Sequence, residues 1–584
     1  MCSSAQTAGP NNSTITLKKS LRGKLVQKVI MFKIKLLPLA LLMMSPVAFA
    51  ATPLNAGGQM QQIPPVPQAP MAVPALEVKP AVQPIAPKPD QARILVNQIQ
   101  VTGAQVYPEA QLLALTGFVP ASQLSLAELQ GMAAKIATYY RQNGYFVAQA
   151  YLPEQDIQNG VVTIAVIEGH YGKVLLNNQA SVSDALANNL LSGINSGDVV
   201  ATGPLENRLL LLSDLPGIKV NSTLVPGAAL GSSDLVVNLT PGRRISGSVD
   251  ADNAGNRYTG ANRIGATVNF NEPLGLGDVA SLRALTSGAG LNYLRGAYQM
   301  QFGKAKAGVS YSALRYELGQ EFASLGAHGT AQVASLFGSY PLVRSRNTNL
   351  NAGLVLDAKK FQDKVDSTAS VADKRAQVLT ASLSGNQLDR VGGAGQTAFL
   401  LAWSAGNIDL QTPGVQALDA VTARSNGHFN KLGFGLSRLQ RVTDTVSVSA
   451  ALNGQLASKN LDVSEKMELG GMYGVRAYPE GEAYADQGYV LNLEARWQLP
   501  KLTTLPGQVQ LIGFIDTGSV TINKSPWAAG PNRRTLSGAG IGINWSEANN
   551  FMVRAYYAVK VGSEAATSAP DKSGRFWIQA VKYF

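Results

Sequence analysis

Few residues of this chain are placed to do covalent chemistry. Its 584 residues include one cysteine, Cys2, and three histidines, His170, His328 and His428, far apart in sequence. Zinc needs three or four close-set ligands, and nucleophilic catalysis needs a nucleophile beside a base. Neither pattern occurs, so no metal and no catalytic residue are expected. Two glycine runs, Gly538-Ala539-Gly540-Ile541-Gly542 and Gly392-Gly393-Ala394-Gly395-Gln396-Thr397, have the composition of phosphate-cradling loops. The first lies inside an alternating strand and the second lacks the Lys-Ser/Thr that reaches phosphate and metal, so both are expected to be ordinary strand or turn, with no cofactor. No Gly-x-Ser-x-Gly elbow is present either. An enzyme is not expected.

What remains is electrostatic. Asp516 shares a strand face with Gln508, Gln510 and Phe514, while Val509, Leu511 and Ile515 occupy the other. Alternation therefore aims its carboxylate at the polar side, where it needs water or a partner. A guanidinium is the side chain that binds a carboxylate through two parallel charge-assisted hydrogen bonds. Arg476 is available, but on the residues alone a solvated loop arginine is the stronger reading, because exposed ion pairs contribute little.

The elements that would position these residues change in texture along the chain. Residues 1–50 hold seven Lys or Arg and no Asp or Glu, then the apolar run Leu36 to Met44 and Ser45-Pro46-Val47-Ala48-Phe49-Ala50. This pattern predicts a signal peptide cleaved after Ala50, either extended or starting at Met31. Its removal takes the net charge from +12 to +5 (12 − 7) and discards Cys2, so neither nucleic acid nor disulfides are expected. Residues 51–92 form a linker in which Pro64, Pro65, Pro67, Pro70, Pro74, Pro80, Pro84, Pro87 and Pro89 favour extended polyproline geometry over packing. Residues 93–169 read β-α-α-β-β: a strand at Ile94 to Val101, a short helix near Gln111, a longer one over Leu126 to Arg141, then strands at 146–153 and 161–167. A second unit, 170–241, has helical patterns at 184–193 and 204–213, a turn at Leu215-Pro216-Gly217, and strands near 218–225 and 234–240. From 242 to 584 the period is two. Leu294, Gly296, Tyr298, Met300 and Phe302 alternate with polar residues, as do Tyr489, Leu491, Leu493, Ala495 and Trp497. This stretch divides into about sixteen segments, each near the ~9–11 residues with which a tilted strand crosses a bilayer.

Four stretches in order resemble the haemolysin secretion/activation family of two-partner secretion transporters. Pro153-Glu154-Gln155-Asp156 through Gly160, with Val166-Ile167-Glu168-Gly169, is similar to the end of that family's first POTRA domain. Asn207 to Gly217, with Pro226-Gly227 and Gly231-Ser232-Ser233-Asp234-Leu235, resembles the second. Asp252-Asn253 to Tyr258-Thr259-Gly260, with Asn271 to Gly277-Asp278, resembles the first barrel hairpin. Gly474-Val475-Arg476-Ala477-Tyr478, with Phe514-Ile515-Asp516, resembles the sixth-loop signature and its partner strand. Ala477 departs from the family's glycine, and the added methyl would restrict the backbone if positive φ is required there. Family members often carry a pore-filling N-terminal helix; here Gly57-Gly58 and the prolines disfavour one, so deleting 51–90 is expected to change conductance little.

The resemblance implies two POTRA domains in the periplasm ahead of an outer-membrane barrel in the lipid bilayer. It implies a monomer that captures an unfolded large secreted partner protein and exports it without nucleotide. It also implies that Arg476 clamps Asp516 inside the lumen, and that the terminal Phe584, on a face with Phe576, Ile578 and Ala580, is a signal to the barrel assembly machinery. An exposed sheet edge accepts an extended chain through backbone hydrogen bonds, so Phe146, Val147, Ala148, Gln149, Ala150 and Tyr151 are expected to form the capturing edge. The alternatives are an assembly factor for other barrels, which would usually carry more POTRA repeats, and a porin, which would need none.

Overall fold

The computed structural model describes residues 54–67, 75–78, 92–501 and 504–584. The expected signal, Ala50, Cys2 and six of the nine linker prolines lie outside the described residues. The linker is not a bare spacer: Ala56–Gln61 forms a helix (α1) and Ala75–Val78 a strand (β1). No helix among the described residues is long and apolar enough to cross a membrane.

The first α+β unit runs β2 (Arg93–Val96), β3 (Gln98–Thr102), α2 (Glu109–Thr116), β4 (Ser122–Ser125), α3 (Leu126–Gln142), β5 (Gln149–Tyr151) and β6 (Val161–Ile167). Helix α3 opens on a capping box, in which the Ser125 side chain accepts from Glu128 N–H and Glu128 accepts the Ser125 N–H at 2.7 Å. Its three-and-four stripe of Leu129, Ala133, Ile136, Ala137 and Tyr140 is buried in the unit's core. The strand expected over Ile94 to Val101 breaks at Asn97, because the N–H groups of Asn97 and Gln98 both donate to Gly160 O. Its halves then pair with β4 and β6 respectively. Glu168 of the Val-Ile-Glu-Gly stretch is buried and accepts from Gln105 N–H, Val106 N–H and the Tyr140 hydroxyl at 2.7–2.8 Å, tying the β3–α2 loop to α3.

The second unit comprises β7 (His170–Asn178), α4 (Asp184–Leu191), α5 (Thr202–Ser213), β8 (Ile218–Pro226) and β9 (Ser232–Pro241), in the sheet order β1-β8-β9-β7. The linker strand β1 lies parallel to β8, Ala75 opposite Asn221 and Val78 opposite Leu224, and covers that sheet edge.

Sixteen antiparallel strands, from β10 (Ile245–Asp252) to β25 (Gly574–Tyr583), close into a barrel. On β21 (Gln487–Gln498), Tyr489, Leu493 and Trp497 are exposed on the outer wall, while Asn492 and Glu494 bond groups inside. Closure rests on the β10–β25 ladder of five residue pairs, Ser248–Tyr583 to Asp252–Gln579, extended by reciprocal backbone bonds between Gly247 and Phe584.

The second unit is bolted to the barrel's near rim. Asp214 takes the Arg344 guanidinium through two bonds of 2.7 Å, Glu206 pairs with Arg346 at 2.9 Å, and Asn207 donates to Arg344 O. Gly217, at φ +70°, stands where a Cβ would come 2.9 Å from that of Asn271. That residue begins the Asn271 to Asp278 turn, whose Gly275 O accepts the Ser183 N–H. Within this turn Glu272 is buried; one oxygen accepts from Gly277 N–H and the other has no partner among the described residues. Burial pushes its pKa up to about 7. A raised carboxyl pKa means the folded turn binds the proton more tightly. The contribution to stability is therefore complete below about pH 4.5 and lost as pH rises through about 7. Hydrogen exchange at the turn should speed up across that window, and Glu272→Gln should flatten the profile. Parallel profiles in both proteins would contradict the assignment.

Candidate functional site

The loop between β20 (Val446–Ala457) and β21 folds back into the lumen, and its arginine is bonded through all three nitrogens of its guanidinium. Arg476 donates to Asp516 from Nε at 2.8 Å, from Nη2 at 2.7 Å and from its backbone N–H at 3.1 Å, while Nη1 reaches Glu494 at 2.8 Å. Asn492 adds a fourth donor to Asp516 at 2.7 Å, and Trp577 Nε1 donates to Arg476 O at 2.7 Å. The guanidinium lies 3.5 Å from the Phe514 ring centre and 4.9 Å from that of Tyr556. Arg476 and Asp516 are both buried. A carboxylate so enclosed is stable only because each oxygen is satisfied. The structure thus places Arg476, Phe514 and Asp516 together. Val475 and Tyr478 are also buried; the Tyr478 hydroxyl donates to Glu564 O at 3.0 Å, and Gly474 lies so close to Leu469 O that no side chain fits.

Three partners escaped the sequence reading, namely Glu494, Asn492 and Trp577. The signal was present for two of them, because Asn492 and Glu494 lie on the polar face of β21 and the register sets Asn492 opposite Asp516. The glycine run set aside as plain strand also bears on the site. It belongs to β23 (Arg533–Glu547), and a Cβ on Gly538 would approach that of Ala477 to 2.5 Å, while one on Gly540 would come equally close to the Phe514 ring. Glycines here make the floor on which the lock rests. Ala477 is not among the residues at positive φ, so its methyl strains nothing and fits against Gly538.

The expectation that no helix fills the pore is overturned. Helix α1 packs on inward-facing Leu285, Leu291, Leu314, Tyr316, Ala331 and Phe361 through Leu54, Ala56, Met60 and Ile63. Asn55 caps it by accepting from Gly58 N–H, and Asp363 accepts the Ala56 N–H at 2.7 Å. The Gln62 amide donates to Tyr484 at 2.7 Å, and Gln62 O accepts from Arg263 at 2.9 Å. Glycine lowers intrinsic helix propensity, but Gly57 sits where a Cβ would meet Ser464 at 2.8 Å. Close packing in the lumen outweighs the low intrinsic helix propensity of Gly57 and Gly58.

Ser464 belongs to a short turn, Val463–Glu465, which anchors the loop a second time. Glu465 is held between Lys359 at 2.7 Å and Lys431 at 2.9 Å, Asp462 pairs with Lys374 at 2.8 Å, and Asp486 with Lys466 at 3.1 Å. The loop is therefore fixed at its tip by Arg476 and at its foot by three carboxylates, with α1 resting on the foot.

The strand expected to serve as a capturing edge is shorter than its side chains predict. Only Gln149, Ala150 and Tyr151 form β5, the free edge of the β3-β6-β5 sheet. Phe146 and Val147 pack against the second unit's core, and Ala148 is buried with its N–H donated to Tyr145 O, because the chain turns after α3 before it can pair. Beyond Tyr151, Gln155 takes over: its amide bonds both the N–H and the O of Thr163 at 2.7 and 2.8 Å, completing the edge of β6. Phe584 lies at the barrel seam, its ring against Gly247. No cluster of possible metal ligands occurs among the described residues.

Comparison with known proteins gives a matching family model, haemolysin secretion/activation protein ShlB/FhaC/HecB, over residues 231–545, and a POTRA domain of ShlB type over residues 94–169. The heme/hemopexin transporter protein HuxB of Haemophilus influenzae is 28% identical over 471 residues, 79% of this chain and 82% of that protein. The outer membrane transporter CdiB of Dickeya dadantii is 24% identical over 410 residues, 68% of this chain and 71% of its own length. Among solved structures, CdiB from Escherichia coli superposes with a TM-score of 0.65 at 19% identity, covering 86% of this chain and 93% of the other.

Proposed function

The chain belongs to the haemolysin secretion/activation protein family, outer-membrane transporters whose POTRA domains lie in the periplasm, and from that premise we propose that it exports one large secreted partner in unfolded form through its own lumen. The observation that carries this reading is the lumen itself. A sixteen-strand barrel has room for an aqueous channel, and here that room is taken by a helix that is no part of the wall and by a loop held by ion pairs, groups that can leave without unmaking the barrel. Extended cargo is captured at a sheet edge, passes the withdrawn α1 and folds outside, with no nucleotide consumed. The relatives are named a heme/hemopexin transporter protein and an outer membrane transporter, and the large exoprotein as cargo rests on the haemolysin secretion/activation family.

Deleting the chain should abolish surface appearance of a large exoprotein encoded beside it and leave the other outer-membrane barrels at normal abundance. A general loss of barrels would instead establish the assembly-factor reading. For capture, the exposed Gln149 and Tyr151 of β5 are the contact positions. A photo-crosslinking residue at Tyr151 should trap the exoprotein's N-terminal domain, whereas one at Val147, turned into the domain interface, should not. Equal trapping at both positions, or none at Tyr151, would rule out this edge.

A further inference from the structure

Two dibasic pairs on neighbouring strands are split across the barrel wall. On β16 (Thr348–Val365) and β17 (Ser370–Asp389), Lys359 and Lys374 face the lumen, bonded to Glu465 and Asp462. Alternation therefore turns Lys360 and Arg375 outward, and both are exposed. The register sets them directly opposite one another, an arrangement that destabilises a sheet unless an anion lies between them.

Their height on the wall is equally specific. The outward residues of β16 run Leu350, Ala352, Leu354, Leu356 and Ala358 and then change to Lys360, Gln362 and Lys364. The apolar stretch of nine residues, Leu350 to Ala358, matches the ~9–11 that cross a bilayer. On β17 the first outward charge beyond Leu379 is Arg375, and on β14 (Ala305–Glu317) the first beyond Ala313 is Arg315. The opposite end of β16 follows the Arg344 turn held by the second periplasmic unit, so these basic groups lie at the outer-leaflet boundary. Carboxylates share this face: Asp409, on β18 (Gly395–Leu410), stands opposite Arg375 and accepts from Gln411 at 2.5 Å, Asp373 accepts from Gln362 at 2.8 Å, and Glu317 lies beyond Arg315, but none of the three makes an ion pair with these cations among the described residues. Near Lys364, His328 stands opposite it with Asp366 3.8 Å away. None of Arg315, Lys360, Lys364 and Arg375 makes an ion pair among the described residues. At the periplasmic boundary, by contrast, the outward Arg438 is paired with Asp389.

We propose that Arg315, Lys360, Lys364 and Arg375 form a docking surface for the phosphate groups of outer-leaflet lipid headgroups. Directly opposed residues stand roughly 4.5–5.5 Å apart at Cα, so one phosphate bridges Lys360 and Arg375, the guanidinium gripping two oxygens and the ammonium a third. Lipid phosphate supplies an anion between Lys360 and Arg375, on the side of Arg375 away from Asp409, while the apolar rows below hold the acyl chains.

The test uses full-length protein in nanodiscs of phosphatidylcholine, titrated with lipid A or with lipid A stripped of its phosphates. Lys360→Ala/Arg375→Ala should weaken lipid A binding about tenfold or more, since each surface cation contributes on the order of 1 kcal/mol toward an anionic lipid. Lys360→Arg/Arg375→Lys should retain binding. Both variants change only the outer wall, and heat-modifiable mobility on gels checks that the barrel is closed. Equal affinity for the dephosphorylated lipid, unchanged affinity in the alanine variant, or complete competition by inorganic phosphate would each overturn the proposal.

Discussion

Arg476→Ala should leave the barrel folded and inserted but lower secretion of its exoprotein at least about tenfold, because breaking a buried ion pair costs roughly 3–5 kcal/mol and tenfold corresponds to only about 1.4. The loss comes from what is left behind. Asp516 keeps Asn492 and the backbone N–H of residue 476 as donors but loses both guanidinium bonds, and Glu494 keeps only Arg496. Arg476→Lys should not restore transport, since an ammonium is a point charge and lacks the fork that spans Asp516 and Glu494 at once. Asp516→Ala should match Arg476→Ala, and the double variant should be little worse, since one interaction is lost in each. Secretion assays alongside thiol labelling of Val475→Cys, a position buried while the loop tip is seated, would show whether the loop tip has left the wall. Normal secretion by both single variants, or losses that simply add, would remove the lock from the mechanism.

Deleting residues 54–65 should raise single-channel conductance on the order of tenfold, since an emptied sixteen-strand barrel leaves an aqueous channel. Glu465→Gln should reproduce part of that rise from a distance. The amide cannot hold Lys359 and Lys431 together, so the foot of the loop loosens and α1 loses the Ser464 surface against which Gly57 is packed. Gly57→Ala should act at the same contact from the helix side. Planar-bilayer recordings distinguish these cases. An unchanged conductance after the deletion would mean that the helix does not occlude the pore, and an effect of Glu465→Gln that persists after the deletion would mean that the foot does not act through α1.

Much of this was legible from residue spacing, for a physical reason. Strand alternation is local and strict, so Leu294 to Phe302 and Tyr489 to Gln498 declare their two faces without knowledge of any neighbour. Helix α3 likewise declares its cap and its stripe. Arg476 and Asp516 required the family resemblance, because nothing within forty positions of chain says which arginine an inward carboxylate will meet. What was missed depends on contacts distant in sequence. Gly57 and Gly58 argue against a helix until Ser464 stands beside them, and Gly538 looks like any strand glycine until Ala477 sits on it. The capture edge was overdrawn because Phe146 and Val147 have β-forming side chains, yet the second unit's core claims them. Propensity is weak where tertiary packing competes for the same residue.

The seam has a consequence for how the molecule is made. Its first barrel strand is completed only by its last, and the Ile578 N–H reaches Asn253 across 325 positions of chain. Every other ladder of the barrel joins strands adjacent in sequence, so hairpins can form as they emerge, but the ring cannot shut until the final strand arrives. Contacts of such long loop length are the slow ones. Until then β10 and β25 each carry an unpaired row of backbone donors and acceptors, an edge open to aggregation. Biogenesis therefore requires that these two edges be shielded together until they meet, and the lifetime of the open ring, more than the stability of the closed one, sets how much escort the chain needs on its way to the membrane.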